Sequence, residues 1–174
     1  VKDLLLLSRM DLNVLPLKKQ LCCLNDIISD LVEELAAFAL SSQITLQATV
    51  LTDQRLYVVG DEEQLYRLVT NLIMNAIQYT PSGGQVCVVL LKKDQEGIIQ
   101  VRDTGIGIAP EDQQRIFDRF YRVSSDRSRK TGGSGLGLAI AQAIVQQHQG
   151  SIQVQSVVGH GSVFAVRLTL KNSR

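Results

Sequence analysis

The run Gly132-Gly133-Ser134-Gly135-Leu136-Gly137-Leu138-Ala139-Ile140 is the tightest constraint on how this chain folds. Four glycines in six residues lead straight into an apolar stretch, so a loop of unhindered amides must become a helix N-terminus. Such an end favours anions through its orphan N–H groups and its dipole. It is not a Walker loop, because no Lys-Ser or Lys-Thr follows the last glycine. It is not a dinucleotide fingerprint either. Gly133, Gly135 and Gly137 space as G-x-G-x-G, and after Gly105-Ile106-Gly107 Pro110 stands where a third glycine would fall.

Two further stretches precede it. Asn71-Leu-Ile-Met-Asn75-Ala-Ile-Gln78-Tyr79-Thr puts two amides one helical turn apart, and Asp103-Thr-Gly105-Ile-Gly107-Ile108 puts a carboxylate at the end of an apolar strand before alternating glycines, Gly105 and Gly107, that allow a tight loop with positive φ. The amide run belongs to a helix opened by Asp61 and closed near Tyr79 by Pro81 and Gly83-Gly84. At helical pitch Leu65, Leu68, Val69, Leu72, Ile73 and Ala76 share one core-facing arc, with Gln64, Arg67, Asn71, Asn75 and Gln78 in a stripe beside it. Two interior asparagines cost helix stability that Lys or Glu would not. An amide carbonyl is, however, a neutral hard oxygen suited to Mg²⁺ held mainly by phosphate and water.

The remaining periodicities predict a helix end over 1–11, a helix over Leu21–Leu40, strands over Ile44–Val50 and Leu56–Val59, and a hairpin joining Val86–Leu91 to Ile98–Val101. A helix over Gln113–Tyr121, a helix over Leu136–Gln149, and a last hairpin of Ile152–Val157 with Val163–Leu170 follow. Ser124–Thr131 has four charged residues and no apolar one, which predicts a mobile loop. Helices and hairpins mixed in this way point to an α/β two-layer sandwich: a mixed, mostly antiparallel sheet of about five strands, covered on one face by three helices.

Composition excludes several classes. A formal net charge of +1 argues against nucleic acid or anionic membrane as main partner. The purely apolar run Leu4–Leu7 is far too short to cross a bilayer, and no signal-peptide pattern opens the chain. Three cysteines, Cys22 and Cys23 adjacent, do not suit a disulfide framework; they read as small buried apolar residues in a reduced, cytoplasmic setting. His148 and His160 read as surface residues, and no Cys/His spacing suggests zinc.

In this order the three stretches resemble the N box and two glycine boxes of the histidine kinase ATP-binding domain, the Bergerat (GHKL) fold. Ile116, Phe117, Phe120 and Tyr121 are similar to its F box. The resemblance covers nearly the whole chain. It implies ATP and Mg²⁺ as cofactors, with Asn75 on the metal, Tyr79 near the adenine and Asp103 accepting from the adenine amino group. Gly105, Gly107, Ile108, Phe117, Gly133, Gly135, Leu136, Gly137 and Leu138 would complete the nucleotide site, and Ser124–Thr131 would be an ATP lid. Arg122 matches an arginine that reaches the γ-phosphate, where a bidentate guanidinium is apt. Gln78 departs from the basic residue usual at its position. Asn71 stands where related ATPases carry a water-activating Glu, and a neutral amide cannot take that proton, so it favours kinase over hydrolase.

The resemblance further implies a division into residues 1–13, the end of a second dimerisation helix, a linker over 14–19, and the catalytic domain over 20–174. Its partners would be its own dimerisation and phosphoacceptor domain, homodimeric in the full protein, and a response regulator. Neither histidine sits in an acceptor motif, so the receiving histidine is expected elsewhere. An ATPase or serine kinase of the same superfold, or a non-catalytic nucleotide sensor, remains an alternative; only Gln78 favours the sensor.

Overall fold

The computed structural model describes residues 2–11, 16–123 and 134–172. Its elements in chain order are α1 (Lys2–Asp11), β1 (Gln20–Cys23), α2 (Leu24–Ser41), β2 (Thr45–Val50), β3 (Tyr57–Gly60), α3 (Glu62–Tyr79), β4 (Gln85–Lys93), β5 (Glu96–Asp103), α4 (Pro110–Gln113), α5 (Gly137–Gln147), β6 (Ser151–Val157) and β7 (Gly161–Thr169). The main sheet runs β2-β4-β5-β7-β6. Only β2 and β4 pair in parallel, Thr45 opposite Gln85 through Val50 opposite Leu90; the other pairs are antiparallel. Helices α2, α3 and α5 pack on it. This is the mixed five-stranded sandwich that the sequence pattern predicts.

Helix α3 forms for reasons legible in its residues. The Asp61 carboxylate caps it, Oδ1 accepting from Gln64 N at 3.2 Å, and Glu62 and Glu63 face the positive end of its dipole. All six residues of the expected apolar arc are buried, joined by Ile77. At the other end Thr80 Oγ1 donates to Ala76 O at 2.7 Å, and the extended Thr80 precedes Pro81, whose ring disfavours a helical predecessor. The sheet supplies Val86, Val88, Leu90, Ile99, Val101, Phe164, Val166 and Leu168 to the same core.

Three expectations need correction. The helix expected from Leu21 begins at Leu24, because Gln20–Cys23 is a strand paired antiparallel to β3, Cys22 opposite Val58. That strand hands Leu24 N to Leu56 O at 2.8 Å, a backbone contact in place of a side-chain cap. The helix expected over Gln113–Tyr121 is instead the short α4, led by Pro110 at its first turn, and turns follow it to Phe120 at φ 62°. His148 is not a surface residue but a joint. Its Nε2 accepts the backbone N–H of Asp61 at 3.0 Å, and Nδ1 lies 2.7 Å from Ile144 O.

Helix α1 folds back onto α5, burying Leu7 and Met10, with ion pairs from Asp3 to Arg67 (2.7 Å) and from Asp11 to Arg119. Cys22 is buried, with its thiol pushed up chiefly by burial, while Cys23 and Cys87 are half-buried; all three are free. No helix among the described residues is long and apolar enough to cross a membrane.

Candidate nucleotide site

One cavity of about 680 Å³ opens between α3, the Asp103–Ile108 loop, β7 and the start of α5. That is the size range of small-molecule sites. Its wall brings together Asn71, Asn75, Gln78, Tyr79, Asp103, Gly107, Ile108, Arg122, Gly135, Gly137 and Leu138, eleven of the residues singled out in the sequence. Gly133 and the expected lid, Ser124–Thr131 with Arg127, Arg129 and Lys130, lie outside the described residues.

Asp103 ends β5 with its carboxylate held in place. Oδ1 accepts from Gly105 N at 2.9 Å and from Ser162 N at 3.2 Å. Burial raises its pKa and these two N–H bonds lower it; burial prevails, so the carboxyl lies above the ordinary aspartate value. Beyond it the loop is tied on every side. Ile106 N donates to Tyr79 O at 3.2 Å, Ile108 N to Ser156 Oγ at 2.7 Å, and Gln113 Nε2 to Ile108 O at 2.8 Å and Ser156 O at 3.0 Å.

The two loop glycines serve different needs. Gly107 adopts φ 75°, and a Cβ there would stand 2.3 Å from Val157 O. Gly105 does not take the positive φ expected of it. It is glycine because a Cβ would meet Tyr79 O at 2.5 Å, where the loop crosses the end of α3.

Two more expected wall residues sit behind the wall. Phe117 meets Phe164 edge to face, ring centroids 6.2 Å apart, and Phe164 lines the cavity. Leu136 is buried, its side chain part of the core. The structure adds Ser162, which sequence reading passed over. It is buried, lines the cavity, gives its N–H to Asp103, and pairs its hydroxyl with Ser156 Oγ at 2.8 Å. The available signal was a serine in register with inward-facing Phe164, Val166 and Leu168 on one strand.

At the opposite end α5 starts without a side-chain cap of its own. Asn71 Nδ2 donates across from α3 to Gly137 O at 3.1 Å, Leu136 N to Ser134 Oγ at 3.3 Å, and Phe120 N to Gly135 O at 3.0 Å. A carboxylate in a tight glycine loop thus faces, across one cavity, two amides of one helix and the N-terminus of another.

Residues 60–172 match the family described as histidine kinase-, DNA gyrase B-, and HSP90-like ATPase. The chain belongs to that family. As its ATP-binding catalytic domain, it is 54% identical over 170 residues to the sensor histidine kinase RppB of Synechocystis, covering 98% of this chain and 37% of that protein. It is 42% identical over 144 residues to the sensor-like histidine kinase SenX3 of Mycolicibacterium smegmatis, covering 83% of this chain and 37% of SenX3. The chain therefore spans little more than a third of the length of these relatives. Among solved structures, the mycobacterial sensor histidine kinase MprB superposes with a TM-score of 0.75 at 28% identity, over 89% of this chain and 99% of that one. Full-length ShkA in complex with AMPPNP shares the fold, with a TM-score of 0.86 over 98% of this chain.

Proposed function

We propose that this catalytic domain holds ATP in the cavity and passes its γ-phosphoryl group to a histidine on a separate dimerisation segment, from which a response regulator is served. The observation that carries the reading is the arrangement of the cavity, with the half-buried Asp103 carboxylate at one end, the α5 N-terminus beside Asn71 at the other, and Asn75 in the same wall. Asp103 accepts from the adenine amino group. Gly135, Gly137 and Leu138 offer the start of α5 to the phosphates, and Tyr79 and Ile108 flank the base. Arg122 places its guanidinium by the γ-phosphate, and Gln78 stands where a cation would otherwise help it.

Asn75 fits a Mg²⁺ ion held chiefly by phosphate. It is a neutral carbonyl oxygen in the cavity wall, and no cluster of three His, Cys, Asp or Glu able to cage a metal occurs among the described residues. The ion would neutralise phosphate charge; the chain itself supplies positioning and electrostatics. The acceptor imidazole brings its own lone pair, so no general base is needed at Asn71.

His148 is unsuited to accept phosphate, because both ring nitrogens are engaged by Asp61 N and Ile144 O. Residues 1–13 read best as the end of the second dimerisation helix, 14–19 as linker and 20–174 as the catalytic domain. Incubation with labelled ATP and Mg²⁺, with and without a supplied dimerisation segment, tests the reading. Acid-labile phosphate should appear on that segment alone. Label on His148 or His160, or no label anywhere, defeats it.

A further inference from the structure

We propose that Asn71 is a positioning residue, whose side-chain N–H holds the Gly137 carbonyl and thereby sets where the first amides of α5 stand to meet phosphate. The proposal rests on the nucleotide reading above and deepens it by giving the first of the two amides a job of its own. Asn71 and Asn75 lie one turn apart on α3, and both line the cavity. Among the described residues Asn75 makes no such cross-helix tie, whereas Asn71 Nδ2 reaches across to Gly137 O at 3.1 Å.

The chemistry of the joint selects an amide. Gly137 opens α5, and its carbonyl has one lone pair for the helix's own ladder and a second for an outside donor. Asn supplies that donor at the right reach. Asp or Glu would turn an acceptor-only carboxylate onto a carbonyl oxygen, charge against partial charge with no hydrogen between them. A water-activating carboxylate at this position and the α3–α5 joint therefore exclude each other, independently of whether hydrolysis is useful. Leu136 in the capping position brings no acceptor, so α5 starts without a side-chain cap, and the Asn71 bond ties its first residue to α3 through the carbonyl instead.

The test separates base from phosphate. Binding of adenosine and of ADP is measured in EDTA for the wild-type chain, Asn71→Asp and Asn71→Ala. Adenosine should bind all three alike. ADP affinity should fall about tenfold in Asn71→Asp, where the donor becomes an acceptor of the same size, and less in Asn71→Ala. Unchanged ADP affinity in both variants overturns the proposal, and so does a parallel loss of adenosine binding. Asn71→Asp binding Mg²⁺-ADP more tightly while matching wild type in EDTA makes Asn71 a metal ligand and also overturns it.

A measurement on the wild-type chain needs no variant to fold. Scalar coupling between Asn71 Nδ2 and the Gly137 carbonyl carbon should be present, and its absence defeats the joint. A wild-type chain that shows this coupling but binds neither adenosine nor ADP refutes the nucleotide reading and leaves the joint standing.

Discussion

The two ends of the cavity are built by opposite strategies. At the carboxylate end the loop from Asp103 to Ile108 is tied by bonds from α3, α4, β6 and β7, and Ser162 and Ser156 link those ties together. At the glycine end the start of α5 rests on Asn71 from α3, Ser134 beside it and Phe120. The first end is formed before any ligand arrives, so ligand binding there loses little conformational entropy. The second presents backbone donors in space open among the described residues: a Cβ at Gly137 would meet none of them within 4 Å. On the proposed reading, the rigid end would read the base and the accommodating end would cradle phosphate.

The largest expected effect breaks the rigid end. Wild-type chain at a free ADP concentration 100 times its dissociation constant should gain about 2.7 kcal/mol of stability. Asp103→Asn should lose most of that gain. Oδ1 of the new amide can still take the Gly105 and Ser162 N–H groups, which leaves its NH₂ donor turned towards an adenine NH₂ donor. Thermal melts with and without ADP read the difference, and equal ADP shifts in the two proteins defeat the assignment.

Next comes the loop itself. Gly107→Ala forces a Cβ to within 2.3 Å of Val157 O at φ 75°, and should destabilise the free chain by about 2 kcal/mol. Urea denaturation of ligand-free protein measures it. A Gly107→Ala chain as stable as wild type would mean that the loop is less firmly held than its bonds imply.

Acid should act on the same end more gradually. Burial raises the Asp103 pKa, so the folded chain holds that proton more tightly than the unfolded one does. The group's own contribution to free-chain stability is therefore greatest below the ordinary aspartate value, and is lost as pH rises through the raised one. Binding has the reverse sign, because the ligand needs the charged acceptor. Adenosine affinity should fall as pH drops through the raised value, about tenfold or 1.4 kcal/mol per unit below it. Calorimetric titration from neutral to acidic pH shows the fall; a flat profile down to the ordinary aspartate range rules out Asp103 as the acceptor.

Legibility in the sequence divides along similar lines. The apolar arc of α3, its Asp61 start and its stop before Pro81 were readable because each rests on residues within a turn or two. The Asn71, Asn75, Asp103 and glycine stretches were readable as motifs, and the structure gathers most of them into one wall. What escaped depended on distant contacts. Leu21–Cys23 reads locally as the first turn of an amphipathic helix, and joins the strand Gln20–Cys23 only because β3 pairs with it. His148 acquires its role from Asp61, 87 residues earlier in the chain. Gly105 was read as a conformational glycine, but its reason is the Tyr79 carbonyl crossing above it. No periodicity reports such a crossing.

The smallest expected effect sharpens the comparison at the accommodating end. Gly137 is the first residue of α5 and, unlike Gly107 and Gly135, needs no positive φ. Alanine forms helix more readily and would touch none of the described residues, so Gly137→Ala should raise the stability of the free chain by about 0.5 kcal/mol. Gly137 nevertheless lines the cavity, and the empty space at its Cβ position is the space that a phosphate would use. The same substitution should therefore weaken ADP while sparing adenosine. Gly107→Ala has the opposite profile, with its damage done before any ligand is added. One glycine is then required by the fold and the other by the ligand. A Gly137→Ala chain that is less stable than wild type without nucleotide, yet binds ADP normally, would erase that distinction and make the two ends of the cavity alike.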